Sequence, residues 1–263
     1  MNSRLSVVII TKNAGDTLEA CLKSVFSLSK DILVVDDYSR DQTKAICDKY
    51  KVRFYRHWEY DLGKQKKYAL SKAAYEWILN LDADEMVTNA LKREILTAIK
   101  KGNPDISGYI IPFHNHLFGK PVTHGGENYK MLRLFKKRAV SIEPSLVHEK
   151  FTLKFGKSAN LHGFIDHFSY RSPTQLFSKF TDYARRDAQQ KFESGERANF
   201  KKLTLYPLHM FYARYIKDHG YKDGFIRIVL DLGFAYMEFM TYLLLLYYCW
   251  MRPPYTPKVS VKT

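Results

Sequence analysis

Short β-branched runs alternate with helical patterns over the first hundred residues, and this alternation constrains the fold more than any other feature of the sequence. Residues 5–10 (LSVVII) form a continuous apolar run that is typical of a buried parallel strand. Similar runs at 32–35, 52–55 and 77–81 predict three more strands, and helices are predicted between them, beginning at Thr17, Asp41, about Lys64 and Asn89. This order predicts an α/β fold with a parallel sheet and helical crossovers.

Acidic pairs follow two of the predicted strands directly. Asp36 and Asp37 end the second strand, and Asp82-Ala83-Asp84 ends the fourth. Ligands of such sheets bind beyond the carboxyl ends of the strands, and carboxylate oxygens suit Mg²⁺ or Mn²⁺, which would hold a nucleotide diphosphate. The chain contains no G-x-G-x-x-G or P-loop motif, so a dinucleotide cofactor or a P-loop ATPase is disfavoured.

Other polar side chains near these ends are weaker candidates. The loop from Thr11 to Asn13 follows the first strand and is expected to touch a nucleotide. Lys64 opens a basic run that could pair with a diphosphate, although such runs are usually solvated helix faces. Ser39 and Asp41 are interpreted as a turn residue and a helix cap. Position at the end of a predicted strand therefore indicates ligand contact only for the acidic pairs.

The later chain changes character. Short mixed segments over 105–170 predict a partly antiparallel region. Taken alone, His167 and the pair His148-Glu149 in this region are interpreted as structural or solvated residues. Ser172-Pro173 predicts the start of a long helix, and 203–250 is again helical. We therefore expect one domain over 1–171 and a helical extension over 172–263.

Charge and apolar patterning limit the partners. The net charge is +15, of which +12 lies in 101–263, and nucleic acid, anionic lipid, a phosphorylated substrate or no partner all stay open on charge alone. Residues 239–251 are uncharged over 13 positions, fewer than the about 20 that a spanning helix needs, which disfavours a span and leaves a helix lying on a membrane open. Three cysteines without metal-ligand spacing predict a reducing compartment, and 5–10 is too short for a secretory signal core. The expected location is cytoplasmic.

Taken together, three motifs resemble the family 2 inverting glycosyltransferases, which have the GT-A fold: a Rossmann-like mixed sheet that binds nucleotide-diphospho-sugars. They are VVIITKNAGDTLEACLKSV (7–25), ILVVDDYSRDQT (32–43) and WILNLDADE (77–85). The later segments VHEKF (147–151), IDHFSYRSPTQLFSKFTDYA (165–184) and FYARYIKDHGYKDGF (211–225) resemble the branch of lipopolysaccharide-core β-1,4-glucosyltransferases.

The resemblance implies that 1–171 is a GT-A catalytic domain, with a nucleotide-sugar half at about 1–100 and an acceptor half at about 101–171, and that the helical extension over 172–263 faces a membrane. It also implies a donor site for a UDP-sugar. Thr11 and Asp37 would contact the uridine with Asp36 nearby, and Lys64 or Arg171 would help to neutralise charge on the departing UDP.

The resemblance also implies a Mg²⁺ or Mn²⁺ site and a base. Asp82 and Asp84 would match the D-x-D motif of the family, with Asp84 the stronger metal ligand, and His167 would complete the metal site. Glu149 would be the base that removes a proton from the acceptor hydroxyl. Many relatives use an Asp in an E-D pair as the base, and that pair is absent here.

The implied reaction moves a sugar, glucose by analogy, to a lipopolysaccharide inner-core or similar saccharide or glycolipid acceptor. Such an enzyme would work peripherally on the cytoplasmic face of the inner membrane, in contact with anionic lipid. The alternatives are a family 2 transferase for capsule, exopolysaccharide or peptide glycosylation, a nucleotidyltransferase, and an RNA-binding protein. No RNP-like or KH-like motif is present, so no nucleic-acid partner is expected.

Overall fold

The computed structural model describes residues 4–59, 61–142 and 150–251 and divides into two compact units, Met1–Arg171 and Ser172–Thr263. In the first unit the elements are β1 (Leu5–Thr11), α1 (Leu18–Val25), β2 (Asp31–Asp36), α2 (Thr43–Tyr50), β3 (Arg53–Arg56), α3 (Leu62–Ser71), β4 (Trp77–Asp82), β5 (Glu85–Val87), α4 (Asn89–Lys101), β6 (Ile106–Leu117), β7 (Lys120–Val122), β8 (Lys130–Lys136), β9 (Val140–Ile142), β10 (Phe151–Leu153), β11 (Lys157–Asn160) and β12 (Ile165–Tyr170). The second unit contains α5 (Pro173–Glu193), α6 (Phe200–Phe211), a π-helical segment (Tyr212–Lys217), a 3-10 turn (Gly220–Asp223) and α7 (Ile226–Met251).

One mixed sheet organises the first unit. Its strand order is β3-β2-β1-β4-β8-β6-β12-β5, and β7 and β11 pair with β6 outside this path. The first four strands are parallel, whereas β8 runs antiparallel to both β4 and β6. The predicted α/β class is therefore confirmed.

Apolar side chains cover both faces of this sheet. Val7 and Ile9 of β1 face one layer, which contains residues of α1 and α4, whereas Val8 faces the opposite layer, which contains residues of α3. Because successive strand residues point to opposite faces, a strand buried on both faces is apolar throughout. This burial leaves the ends of the strands as the place for polar chemistry.

The predicted helix start at Ser172 agrees with the structure, whereas those at Thr17, Asp41 and Asn89 differ. Gln42, not Asp41, immediately precedes α2, and Asp41 Oδ1 accepts a hydrogen bond from the Thr43 N–H at 3.0 Å. Ser172 caps α5, with its Oγ accepting a hydrogen bond from the Gln175 N–H at 3.2 Å. Thr88 caps α4 instead of Asn89, which is the first helical residue. Thr17 precedes α1 without a side-chain capping bond, because its hydroxyl is directed to the carbonyl of Ala14.

The C-terminal helix is longer than the uncharged run alone indicates. α7 has 26 residues and is long and apolar enough to cross a membrane by length and composition, with 33% of its most apolar window buried. Two charged residues near its start, Arg227 and Asp231, are wholly buried. They form an ion pair, with Arg227 Nη2 2.9 Å from Asp231 Oδ1. A helix that packs against its neighbours along one side only is expected to bury about this share of its surface.

Candidate active site

The loops that follow β1 and β2 lie against each other. The backbone N–H of Asp37 donates to the carbonyl of Thr11 at 2.9 Å, and Asn13 Oδ1 accepts from the Arg40 N–H at 2.9 Å. Asn13 has a φ of +49°, a conformation that asparagine tolerates better than most residues. The structure thus brings together three of the residues predicted for nucleotide contact.

The two acidic residues at the end of β2 have different environments. Asp36 is 1% exposed, and its carboxylate accepts hydrogen bonds from the backbone N–H and the hydroxyl of Ser39. Asp37 is partly exposed and pairs with Lys12 at 2.8 Å. Thr11 is nearly buried and its Oγ1 has no hydrogen-bond partner. Asp36 therefore holds the turn in shape, while Asp37 and Thr11 have polar groups that a ligand could engage.

Two buried cations bracket Asp82. Lys66 Nζ lies 3.2 Å from Oδ1 and Arg133 NH2 lies 3.1 Å from Oδ2, and each cationic side chain is 4% exposed. Burial alone would raise the pKa of the Asp82 carboxyl, but Lys66 and Arg133 reverse the effect and hold that pKa well below its usual range. Asp82 is thus an ionised group whose charge is already compensated by the protein.

A second carboxylate fixes the turn between β4 and β5. Arg133 NH2 lies 2.5 Å from Oε1 of Glu85, which is wholly buried, and Oε2 of Glu85 accepts from the Asp82 N–H at 3.0 Å. Burial raises the pKa of Glu85 above its usual range, although Arg133 opposes the shift. One guanidinium therefore ties together both ends of the segment that carries Asp84.

Asp84 faces His167 across this turn. Asp84 Oδ1 and His167 Nε2 are 3.6 Å apart, and both side chains are about one-fifth exposed. His167 Nδ1 lies 2.9 Å from Asn115 Oδ1, the amide of the residue opposite it on β6, so Nδ1 donates and Nε2 points toward the carboxylate. The Ser169 hydroxyl also lies 2.8 Å from Nε2. Burial lowers the pKa of His167, but the nearby carboxylates, Asp84 first, outweigh it and raise that pKa overall.

This donor set fits a divalent cation held jointly with a ligand. Among the described residues there is no group of three or more His, Cys, Asp or Glu side chains that could hold a metal ion on its own. Mg²⁺ is commonly bound by one or two protein carboxylates together with substrate phosphates and water. Asp84 supplies such a carboxylate and the His167 Nε2 lies beside it as a further donor, whereas Asp82 is engaged by Lys66 and Arg133.

Three predicted residues lie elsewhere or outside the description. Lys64 is exposed on α3, where its backbone N–H donates to Asp61 Oδ1 at the helix start. Arg171 pairs with Asp16 at 2.7 Å, and both side chains are well exposed. Glu149 lies outside the described residues. That Lys64 and Arg171 help to neutralise a departing diphosphate stays a prediction.

Sequence reasoning missed Lys66, Arg133 and Asn115. Lys66 shares the buried face of α3 with Ala69 and Leu70, three and four residues later, and this spacing could have distinguished it from Lys64. Arg133 interrupts the apolar strand β8, and a charge inside such a strand requires a buried partner. Asn115 gives no signal of its own, because its role depends on the register between β6 and β12.

Comparisons with known proteins identify the family of the chain. The sequence model of glycosyl transferase family 2 matches residues 6–169. The lipopolysaccharide core biosynthesis glycosyltransferase LpsC of Rhizobium meliloti is 28% identical over 244 residues, covering 89% of this chain and 89% of LpsC. An uncharacterized glycosyltransferase of Rickettsia conorii is 28% identical over 253 residues, covering 91% of this chain and 89% of that protein.

Solved structures give more distant matches. S. aureus TarS 1–349 in complex with UDP matches with a TM-score of 0.47 at 14% identity, covering 95% of this chain and 92% of the TarS chain. Glucosyl-3-phosphoglycerate synthase from Mycobacterium tuberculosis, in complex with Mn²⁺ and UDP-glucose, matches with a TM-score of 0.36 at 17% identity, covering 43% of each chain.

Proposed function

The chain belongs to glycosyl transferase family 2 and is a glycosyltransferase with the GT-A fold, and from this premise we propose that it moves a sugar from a UDP-sugar to a saccharide or glycolipid acceptor. The observation that carries the proposal is the pair of Asp84 and His167, 3.6 Å apart, beside the buried ion cluster of Asp82. The pair is held at the carboxyl end of β4, where ligands of such sheets bind.

Donor binding is assigned to the loops after β1 and β2. Thr11 and Asp37 contact the uridine: the buried Thr11 Oγ1 has no hydrogen-bond partner, and the Asp37 carboxylate is partly exposed. Asn13 and Asp36 hold these loops in position through their hydrogen bonds to Arg40 and Ser39. Two of the four residues thus contact the uridine and two hold the loops in shape, a distinction that the sequence motifs alone do not make.

Direct displacement requires charge compensation and a base. Asp84 and His167 would hold a Mg²⁺ or Mn²⁺ ion, which would supply positive charge to offset the negative charge of the leaving UDP. Lys66, anchored by Asp82, adds a buried positive charge near the same turn. Glu149 takes the proton from the acceptor hydroxyl as it attacks, so that the anomeric centre is inverted.

The acceptor is proposed to be a lipopolysaccharide inner-core saccharide, and the transferred sugar glucose. Support comes from the later motifs and from the relative LpsC, whose name is lipopolysaccharide core biosynthesis glycosyltransferase. Such an acceptor places the enzyme peripherally at the cytoplasmic face of the inner membrane, where the +12 charge of residues 101–263 would favour anionic lipid. We assign catalysis to 1–171 and membrane contact to 172–263.

The test is release of UDP from a panel of UDP-sugars, with Mn²⁺ or with EDTA, for the intact protein and Asp84→Ala. We expect metal-dependent release with one sugar, reduced about 100-fold or more in the variant, because lost charge stabilisation of several kcal/mol slows the reaction by that factor. Asp48→Ala is the matched control, since Asp48 lies on α2 with a side chain 62% exposed.

Each outcome has a defined meaning. Release by Asp48→Ala at the level of the intact protein, together with loss in Asp84→Ala, supports the proposal. Equal release by both variants removes Asp84 from the metal site, and absence of both UDP binding and release contradicts the proposed donor. With donor and metal known, capsule, exopolysaccharide and peptide acceptors are then compared with lipopolysaccharide core by transfer of labelled sugar.

A further inference from the structure

One side of α7 exposes apolar side chains along the whole helix. They recur at spacings of three, four and seven residues and so lie within about 80° of one another around the helix axis. Phe225, immediately before the helix, is 81% exposed and Trp250, near its end, is 82% exposed. The members of this α7 stripe are Phe225, Leu232, Phe239, Leu243, Leu246 and Trp250. The stripe is about 37 Å long at 1.5 Å per residue.

The preceding helix has a similar exposed row. Leu205, Leu208, Tyr212 and Ile216 of α6 and the π-helical segment are 45% to 68% exposed and recur every three or four residues. Exposed apolar side chains scattered singly are normal, but two continuous rows in one small helical unit are not. The second unit therefore has an apolar surface that requires an occupant.

The other side of α7 packs against a charged helix, which decides how α7 can meet a bilayer. Tyr236 contacts Phe177 with ring centroids 5.3 Å apart, and Tyr248 contacts Phe192 at 6.1 Å, so α5 runs alongside α7 in the same direction. α5 has seven charged residues among its 21. If α7 crossed a membrane, these charges would enter the hydrocarbon, where ionised side chains are strongly disfavoured. The packing of α5 is thus compatible with α7 lying in the membrane plane and incompatible with a span.

Charge indicates which surface covers the two rows. Between residues 197 and 225 there are six basic and two acidic residues. Lys201 lies on the exposed side of α6 that carries Leu205 and Leu208, and Lys217 directly follows Ile216. Apolar rows flanked by lysines and by exposed Tyr and Trp are the pattern of interfacial helices on anionic lipid.

We propose that α7 lies parallel to the surface of an anionic bilayer with the α7 stripe in the interface, and that the row on α6 adds to the same contact. The inference rests on the proposed function in that the acceptor proposed there is a glycolipid of the membrane. It goes further by fixing the mode of contact: an in-plane helix instead of a span.

Depth measurement tests the mode. Single cysteines at Phe225, Phe239 and Trp250, in a background with Cys249→Ser, are labelled with an environment-sensitive fluorophore on vesicles of phosphatidylethanolamine and phosphatidylglycerol. Cys21 and Cys47 are buried and are left in place. An in-plane helix gives the same shallow depth at all three positions in quenching by spin-labelled lipids. A deep position for residue 239 between two shallow ends means a span and overturns the proposal.

A paired substitution tests the surface. Leu243→Asp with Leu246→Asp adds two charges to the stripe, and we expect vesicle partitioning to fall about tenfold or more. Ser178→Asp with Thr174→Asp adds the same charge at exposed positions of α5 and is expected to lower it less than threefold, with native circular dichroism in both. Unchanged partitioning of the stripe variant, or a dimer in sedimentation that does not bind vesicles, contradicts the proposal.

UDP release from free donor, measured on the same variants, separates this inference from the proposed function. We expect release without vesicles to be unchanged by the stripe substitutions, because they lie outside the first unit. If the protein releases UDP but does not bind vesicles, the proposed glycosyltransferase activity stands and the proposed membrane surface is rejected. If it binds vesicles but does not release UDP, the membrane surface stands and the proposed activity is rejected.

Discussion

Two lysines of α3, only two positions apart, have opposite environments. Lys66 is buried against Asp82, whereas Lys64 is exposed. If the chain binds a UDP-sugar as proposed, we expect Lys66→Gln to weaken UDP binding about tenfold, since a buried positive charge beside the site, worth about 1.5 kcal/mol to an anionic ligand, is removed. Lys64→Gln is the matched control, and its dissociation constant should stay within twofold of the unmodified protein. Isothermal titration with UDP, with Mn²⁺ and with EDTA, measures both, and equal weakening by the two variants would reject a special role for Lys66.

Arg133 is expected to be essential for the fold of the turn between β4 and β5. Arg133→Met leaves the wholly buried Glu85 without its cation, and breaking a buried pair in this way costs about 3–5 kcal/mol. Urea unfolding followed by circular dichroism measures the free energy of unfolding. Arg138→Met serves as control, because that side chain is 87% exposed and its loss should change stability by less than about 0.5 kcal/mol.

At this scale the sequence predicts where polar groups gather but not which of them pair. The carboxyl ends of strands can be located from apolar runs, so Asp37 and Asp84 are found without a structure. Lys66 is hidden in a basic run that is usually solvated, and Arg133 reaches Asp82 only because β8 pairs with β4. Such pairing between residues 51 positions apart is a property of the sheet.

Among the elements, the start of β2 is tied to its neighbours through one carboxylate. Asp31 accepts hydrogen bonds from the Ser6 hydroxyl at 2.5 Å, from the Ala74 N–H at 2.9 Å and from Arg53 NH1 at 2.7 Å. Burial by itself raises the pKa of Asp31, but these three donors outweigh it and lower that pKa below its ordinary value. The ionised form thus stabilises the fold.

The pH dependence follows from that direction. A folded-state pKa below the unfolded value of about 3.9 gives stability that is fully present above the unfolded pKa and is lost as the pH falls through the folded pKa. We expect Asp31→Asn to lower the free energy of unfolding by about 2 kcal/mol at pH 5 to 7, and the difference to shrink below about pH 4. Urea unfolding at pH 3, 4, 5 and 7 measures it, and a difference that does not change with pH would contradict the assigned ionisation.

The contact between α5 and α7 predicts that replacing a helical glycine by alanine destabilises the protein. A Cβ at Gly233 would lie 2.6 Å from Cδ2 of Leu176 and 2.7 Å from Cε2 of Phe180, and both side chains are fully buried. Gly233→Ala should lower the free energy of unfolding by about 1–3 kcal/mol, although alanine favours a helix by about 1 kcal/mol over glycine. Adding Leu176→Ala should reduce the cost of the Gly233 change, and purely additive effects of the two substitutions would show that no clash exists.

Elements were more predictable than their ends. Apolar runs place β1 to β4 within one or two residues, because strands buried on both faces carry a strong signal. The cap of α4 was assigned one residue too late, since Thr88 and Asn89 are both good caps and only the backbone separates them. The short strands after β5 are specified by distant partners, so the sequence predicts only a mixed region there.

For the whole molecule, the excess positive charge predicts a salt-dependent location. The net charge of +15 should draw the protein to vesicles that contain phosphatidylglycerol, and partitioning should fall more than tenfold between about 0.05 and 0.5 M NaCl as the charges are screened. Vesicles of phosphatidylcholine alone are the control and should show weak, salt-insensitive binding. Equal binding to both vesicle types at low salt would assign the contact to apolar side chains alone.

The strand order has a consequence for biosynthesis. β4 and β5 are neighbours in the chain, yet β8, β6 and β12 lie between them in the sheet, so the turn that carries Asp84 is closed only when residues 165–170 have paired with β5. His167 arrives with that same strand. The ribosome therefore completes the first four strands, and with them the loops proposed to bind uridine, well before the strand that carries His167. The proposed metal site of Asp84 and His167 can form only after residues 165–170 have been synthesised and have paired with β5.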